Sequence, residues 1–448
     1  MNLPQCFLAD LPPEAELTPT LVQDSCRALR RHCEEHLVHQ STHRIAGVLA
    51  EVAREWRRHD SPFRLRALAE GPGQTGFPAG TLAAGLDAYF EELTPASLQA
   101  LLEQDLGGTG RLDAFDGPPE GAGLAHGPGL LVHVAAGNLP VPALHSLVLG
   151  LLARSAQFMK CARGGTLLPR LFAHSLREAD PTLGGCLELA TWPGGSLALE
   201  EALFAEADCV TATGRDETLA DIQRRLPQHT RFLGHGHRVS FGYVARDALG
   251  PGAAAQAAAR AADDVVAWNQ QGCLSPHVFY VETGGATAPE QFAALLGAEL
   301  DRREGTTPRG EVTLEESTVI TLRRDFYRIR MAAAATTRLW HSPGSTAWTV
   351  VFEGDPLFQA SCLNRFVYVK PVAHLEEALQ GADPVRNHVS TVGLAAGPAT
   401  TANLVRTLAA WGATRVCPLG RMQRPPLTWR QDGRPTLGDL VTWTHWER

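Results

Sequence analysis

Residues 130–152 read LLVHVAAGNLPVPALHSLVLGLL, and this stretch decides the fold. LLVHVAA (130–136) is an almost wholly apolar run, the mark of a strand covered on both faces. Gly137 then permits a tight turn, and apolar residues beyond Pro140 continue at helical spacing. A buried strand that turns straight into a helix opens a βαβ unit.

The alternation continues toward the C-terminus. AQFMKCA (156–162), CLELATW (186–192), DCVTATG (208–214) and RVSFGYV (238–244) read as strands, separated by helical LPRLFAHSLREA, SLALEEALFAEA and DETLADIQRRL. Strands and helices taking turns predict a parallel sheet, which binds ligands beyond the C-terminal ends of its strands. The pattern restarts after residue 245 with helical AAAQAAARAADDVVAWN, strand HVFYVE and helical PEQFAALLGAELDRR. Toward the N-terminus, glycine and proline crowd 106–129 as a junction, and the residues before it are mostly helical. The fold class expected is α/β, a parallel-sheet unit followed by a second α/β unit. Residues 1–115 form the helical N-terminal part, 116–244 the first sheet unit and 245–425 the second unit, while 426–448 form a tail offered as an interface.

Composition narrows the function. At 448 residues, 44% hydrophobic and 20% charged, the chain has the make-up of a globular protein of two or three domains. A net charge of −8 argues against a nucleic-acid partner. The arginine cluster RRDFYRIR (323–330) is read as a solvated face rather than an anion site. The start, MNLPQCFLADLPPEAEL, lacks the features of a signal peptide, and no apolar run reaches the length of a membrane span. Nine cysteines without repeated spacing suggest no disulfide framework and a reducing cytoplasm. RRHCEEHLVHQSTH (30–43) puts His32, His36, His39 and His43 on one helical face, but the zinc pattern HExxH fails there because cysteine holds the glutamate's place. No metal site is expected.

Four features bear on chemistry. Asn138, at a strand-to-helix turn, either caps a helix or donates its amide into a cleft. Lys160, at the end of a strand built for burial, snorkels or reaches a ligand, and Arg163 follows three residues later. Together they suit a ribose and its phosphate. Thr213 and Gly214 lie at a strand–helix turn whose N–H groups suit a pyrophosphate. Cys273, in WNQQGCLSPHVFYVE (268–282), is either a buried structural thiol or a nucleophile.

The order of these features carries a resemblance. Lys160 lies 22 residues past Asn138, Gly214 54 past Lys160, and Cys273 59 past Gly214. This spacing resembles the aldehyde dehydrogenase superfamily. The blocks SPFRLRALAEGPGQTGFP, HVAAGNLPVPALHSLVLGLL, NQQGCLSPHVFYVE and RVCPLGRMQRPPLTWRQDGRPTLGDLVTW are similar to the LuxC-type acyl-CoA reductases of bacterial luminescence. The resemblance implies an aldehyde-dehydrogenase-like fold, a Rossmann-type cofactor domain plus a second α/β catalytic domain, with Cys273 as nucleophile and Asn138 as oxyanion donor. It also implies Lys160 at the cofactor ribose and Gly214 at the phosphate turn.

Superfamily members that make free acids carry a glutamate that activates water. The corresponding stretch here, RFLGHGHRVSFGYV (231–244), has no carboxylate, and no acidic residue occurs between Asp221 and Asp247. His229, His235 and His237 are the candidate replacements. Without a positioned base, worth roughly 10²–10⁴-fold, water attacks an acyl-cysteine slowly. The implied reaction is therefore reduction of a fatty acyl-CoA or acyl-protein thioester to the aldehyde. Arg163 stands where a carboxylate often binds the adenosine ribose, which favours NADPH because a guanidinium pairs with a 2′-phosphate. The family's later cofactor glutamate has no counterpart in ASCLNRFVYV (360–369). An acyl-protein synthetase partner and a homo-oligomer follow from the resemblance. The alternatives are a cysteine acyltransferase or thioesterase without nicotinamide, an aldehyde dehydrogenase running oxidatively, and an inactive scaffold.

Overall fold

The strands of the described residues gather into two large sheets and one two-stranded ribbon. The computed structural model describes residues 3–12, 14–117 and 121–447. Its strands are β1 (Ala122–His126), β2 (Leu130–Val134), β3 (Ala156–Cys161), β4 (Leu187–Thr191), β5 (Cys209–Thr213), β6 (Arg231–His235) and β7 (Val239–Val244). There follow β8 (Pro276–Glu282), β9 (Thr337–His341), β10 (Thr349–Glu353), β11 (Phe366–Val372), β12 (Val389–Ala395), β13 (Val416–Pro418) and β14 (Thr442–Trp446).

The first sheet is parallel throughout, in the order β4-β3-β2-β5-β6. β2 lies at its centre, so the turn that follows it, carrying Asn138, opens at the middle of the sheet's C-terminal edge. Helices Val141–Leu152 and Leu167–Ala179 pack with the N-terminal helices and this sheet into one apolar core. Arg30 ties helix Pro19–His32 to the start of β5 through Asp208, at 2.8 Å.

The second sheet runs β13-β12-β7-β8-β11-β10-β9, with β9 alone antiparallel. Every residue of β7 and β8 is buried, as in a sheet covered on both faces. Helices Ala253–Val266 and Pro289–Thr306 cover one face. Helices Leu314–Ala333, Leu375–Ala382 and Pro398–Trp411 cover the other.

The structure revises several parts of the sequence reading. RVSFGYV belongs to the second sheet, so the division expected at residue 244 falls after His235 instead. RFLGH, which carried no strand reading, is the edge strand β6 that completes the first sheet. A run of buried apolar residues marks a strand but not the sheet it joins. The tail beyond 425 is a strap across the cofactor unit. Arg231 donates to the carbonyls of Asp439, Leu440 and Val441, Asp105 accepts the N–H groups of Leu437 and Gly438, and β14 pairs antiparallel with β1. Within RRDFYRIR, Arg324 is buried, with its guanidinium spent on Thr349, Ser345, Ser342 and Trp348, so the cluster is not wholly a solvated face.

The four histidines do not share a helix. The α-helix ends at His32, a π-turn spans Cys33–Leu37, and the next helix begins at Thr42. His32 Nε2 meets the Thr182 carbonyl at 3.0 Å. Among the described residues no group of three His, Cys, Asp or Glu converges as a metal site, and no helix is long and apolar enough to cross a membrane.

Candidate active site

Cys273 sits in the loop between helix Ala253–Val266 and β8. Gly272 ahead of it allows close packing: a Cβ there would lie 3.1 Å from both Leu139 and Gln423. Ser275 N–H closes a turn onto the Gly272 carbonyl at 3.0 Å, and Ser240 Oγ donates to the Cys273 carbonyl at 2.8 Å. The thiol therefore rests on a braced turn and opens into a cleft of ≈ 650 Å³.

That cleft lies between the C-terminal edge of the first sheet and the loop ahead of β8. Asn138, Thr213, Gly214 and Cys273 all line it. Asn138 Nδ2 donates to the Gln271 carbonyl at 3.0 Å, which joins the two units beside the thiol. Lys160 and Arg163 do not line this cleft. They lie at and just beyond the end of β3, whose Lys160 is in register with Val134 of β2. Neither cation has an ion-pair or side-chain hydrogen-bond partner among the described residues.

Gly214 closes β5 with its N–H on the His235 carbonyl at 3.2 Å, and an added Cβ would meet only Thr218, at 3.8 Å. Internal packing thus does not demand the glycine. Two unpaired cations and an open turn along one sheet edge are the donor set an anionic dinucleotide needs, so the residues present fit a nicotinamide cofactor.

Three groups at the site arrive from residues that sequence reading passed over or left open. Asp432, from the C-terminal strap, accepts Arg238 Nε at 2.9 Å on one oxygen and faces His235 Nδ1 at 3.4 Å with the other. Burial would push this carboxyl up, but the bonds from His235 and Arg238 outweigh it and hold the group below its ordinary range. His235 had stood as a candidate in HGHR; the only trace of Asp432 was a QDGR turn nearly two hundred residues away.

The cysteine itself is open to the cleft yet deep within it. Desolvation, then the Asp432 charge, push its thiol up to about 11, against smaller opposing effects of its own N–H, Arg238 and Arg415. His277, also lining the cleft, accepts Ser361 N–H at Nδ1 at 3.0 Å, and burial pushes it down to about 4, so it stays neutral.

A parallel sheet facing a cysteine-bearing α/β unit across one cleft is the architecture of the aldehyde-dehydrogenase fold. Solved structures share this architecture. Bifunctional proline utilization A protein superposes with TM-score 0.73 at 17% identity, over 98% of this chain and 45% of that one. An NAD-dependent benzaldehyde dehydrogenase from Corynebacterium glutamicum superposes with TM-score 0.68 at 12% identity, over 97% and 91%.

The chain belongs to the acyl-CoA reductase (LuxC) family, whose profile matches residues 37–443. It is an oxidoreductase of the acylating aldehyde dehydrogenase type. The long-chain acyl-protein thioester reductase of Aliivibrio fischeri is 24% identical over 364 residues, covering 80% of this chain and 72% of that protein. The long-chain acyl-protein thioester reductase 2 of Photobacterium leiognathi is 22% identical over 443 residues, covering 96% and 87%.

Proposed function

We propose that this protein reduces a long-chain acyl thioester, carried by CoA or by a protein, to the fatty aldehyde through an acyl-Cys273 intermediate, with NADPH as reductant. One observation carries the reading: Cys273 and the amide of Asn138 share a cleft whose two carboxylates are both tied up. Asp432 is bound by Arg238, and Asp439 lies 3.8 Å from Arg434. A carboxylate paired with a guanidinium is a poor base, so neither carboxylate stands in for the missing glutamate in activating water at the acyl-enzyme.

The chain's own groups then divide the work. Cys273 sulfur attacks the thioester carbonyl and expels the carrier thiol, which takes up the proton the cysteine loses. The Asn138 amide and the Cys273 N–H stabilise the oxyanion as it forms. Lys160 and Arg163 would hold the ribose and its 2′-phosphate, and the Thr213–Gly214 turn would take the pyrophosphate. When bound, NADPH supplies the hydride. The resulting thiohemiacetal on Cys273 collapses to aldehyde and thiolate, which solvent reprotonates. A cytoplasmic homo-oligomer served by an acyl-protein synthetase belongs to the same reading.

The test replaces Cys273 with alanine or serine and supplies radiolabelled tetradecanoyl-CoA with NADPH. Loss of both the covalent label and the aldehyde is expected; persistence of both removes the nucleophile assignment.

A further inference from the structure

Directly ahead of the catalytic turn, Trp268, Asn269 and Gln270 have φ of 52°, 49° and 66°. A second run, Leu363, Asn364 and Arg365, has φ of 62°, 55° and 64°. None of the six is glycine; asparagine tolerates left-handed backbone, but for Trp268, Gln270, Leu363 and Arg365 it is strained. Such strain persists only where the surroundings over-determine it, and it gathers at functional sites.

Here the two runs over-determine each other. Asn364 N–H donates to the Asn269 carbonyl at 3.0 Å, and Arg365 Nε donates to Asn269 Oδ1 at 3.0 Å. Gln271 Nε2 donates to Asn364 Oδ1 at 3.0 Å, which brings the second run within two residues of Cys273. An outer layer fixes the pair: Arg365 Nη1 on Glu304 at 2.9 Å, and Asn364 Nδ2 on Glu316 at 3.2 Å. Arg365 is 0% exposed. Burying a guanidinium is costly, and this one is spent on bracing a strained loop. Trp268 anchors the far end, where its ring lies over Gly85 so closely that an added Cβ would fall 1.9 Å from it.

The braced segment leads into the Gln271 carbonyl, which receives the Asn138 amide, and then the Cys273 N–H. Both define where an oxyanion can sit. We propose that Asn364 and Arg365 are positioning residues: acting through Gln271 and Asn269, they clasp the strained loop so that the backbone at 271–273 is preset for attack. The proposal rests on Cys273 being the acylated nucleophile. Neither residue touches the reacting sulfur, so the clasp acts on rate and leaves affinity alone.

Asn364→Gly is the discriminating variant. Glycine accepts the positive φ without strain, so the fold survives, while the links to Gln271 and Glu316 are lost. Arg365→Gln is the companion. In the full-length protein, four quantities are read: melting temperature, KM and kcat with tetradecanoyl-CoA, NADPH affinity, and the peptide-resolved rate of Cys273 alkylation by iodoacetamide. For Asn364→Gly we expect an unchanged melting temperature, with KM and NADPH affinity within about twofold. We also expect kcat to fall on the order of 10–100-fold, because ångström-scale misplacement suffices for that, and the alkylation rate to change.

Wild-type kcat and alkylation in the folded Asn364→Gly protein would overturn the clasp, as would a loss expressed only in KM. If Arg365→Gln does not fold, Asn364→Gly alone decides. A wild-type protein that takes no acyl group would sink the parent reading instead. Alkylation needs no substrate and would still decide the clasp: a rate equal to wild type overturns it, a changed rate supports it.

Discussion

The Asn138 side-chain amide donates to the Gln271 carbonyl at 3.0 Å, a bond between residues 133 apart in sequence that joins the two units beside Cys273. That bond uses one N–H of the amide and leaves its second N–H for the oxyanion proposed to form on the acyl-Cys273 carbonyl.

Asn138→Ala removes that donor and leaves the thiol in place. Loss of one oxyanion donor costs roughly 10²–10³-fold in kcat. Aldehyde formation at saturating acyl-CoA and NADPH should fall by that order while Cys273 remains alkylatable. A variant retaining more than half of wild-type kcat would place the oxyanion elsewhere.

Asp432→Asn takes away the charge that, after desolvation, most raises the Cys273 thiol. The midpoint for alkylation, expected at about 11 in the wild type, should move down in the variant. Iodoacetamide labelling across pH 7–11.5 checks this, and an unmoved midpoint would show that the carboxylate does not reach the sulfur.

Arg163→Glu exchanges a free guanidinium for a carboxylate at the end of β3. The 2′-phosphate of NADPH then meets repulsion, and the ribose hydroxyls of NADH gain an acceptor. The ratio of kcat/KM for NADPH to that for NADH should invert. An unchanged ratio would locate the 2′-phosphate site at other residues.

His133 gives the stability a sign with pH. It is 2% exposed in β2, between Thr211 Oγ1 at 2.7 Å and Gln157 Oε1 at 2.9 Å, and burial pushes it down to about 4. The unfolded chain, with its imidazole near pH 6.5, takes up the proton first on acidification. The contribution, on the order of 3 kcal/mol, is therefore fully present above pH 6.5 and lost as pH falls through 4. Melting temperatures at pH 7 and pH 4.5 should differ less for His133→Gln than for the wild type. An equal difference in both would clear His133 of the acid sensitivity.

Much of the first sheet was legible in sequence because its signals are local. β2, β3 and β5 announce themselves as apolar runs, and Asn138, Lys160 and Gly214 fall at the ends of those runs, where a parallel sheet presents its ligand edge. β6 was not legible: all five of its residues are half-buried, so it offers neither an apolar run nor clear alternation. β7 was legible as a strand but not as a member of the second sheet, since partner choice depends on β8 and β12, which lie further along the chain.

By itself, then, the sequence determined the α/β class, the order of the asparagine, the cations and the cysteine, and the missing glutamate after β5. Each depends on residue type and short-range periodicity. Tertiary structure alone decided that Asp432 faces His235 from 197 residues away, that Arg238 neutralises it, and that 268–270 and 363–365 hold one another in left-handed backbone. Those are contacts between segments remote along the chain, and backbone strain of this kind exists only because packing on both sides enforces it.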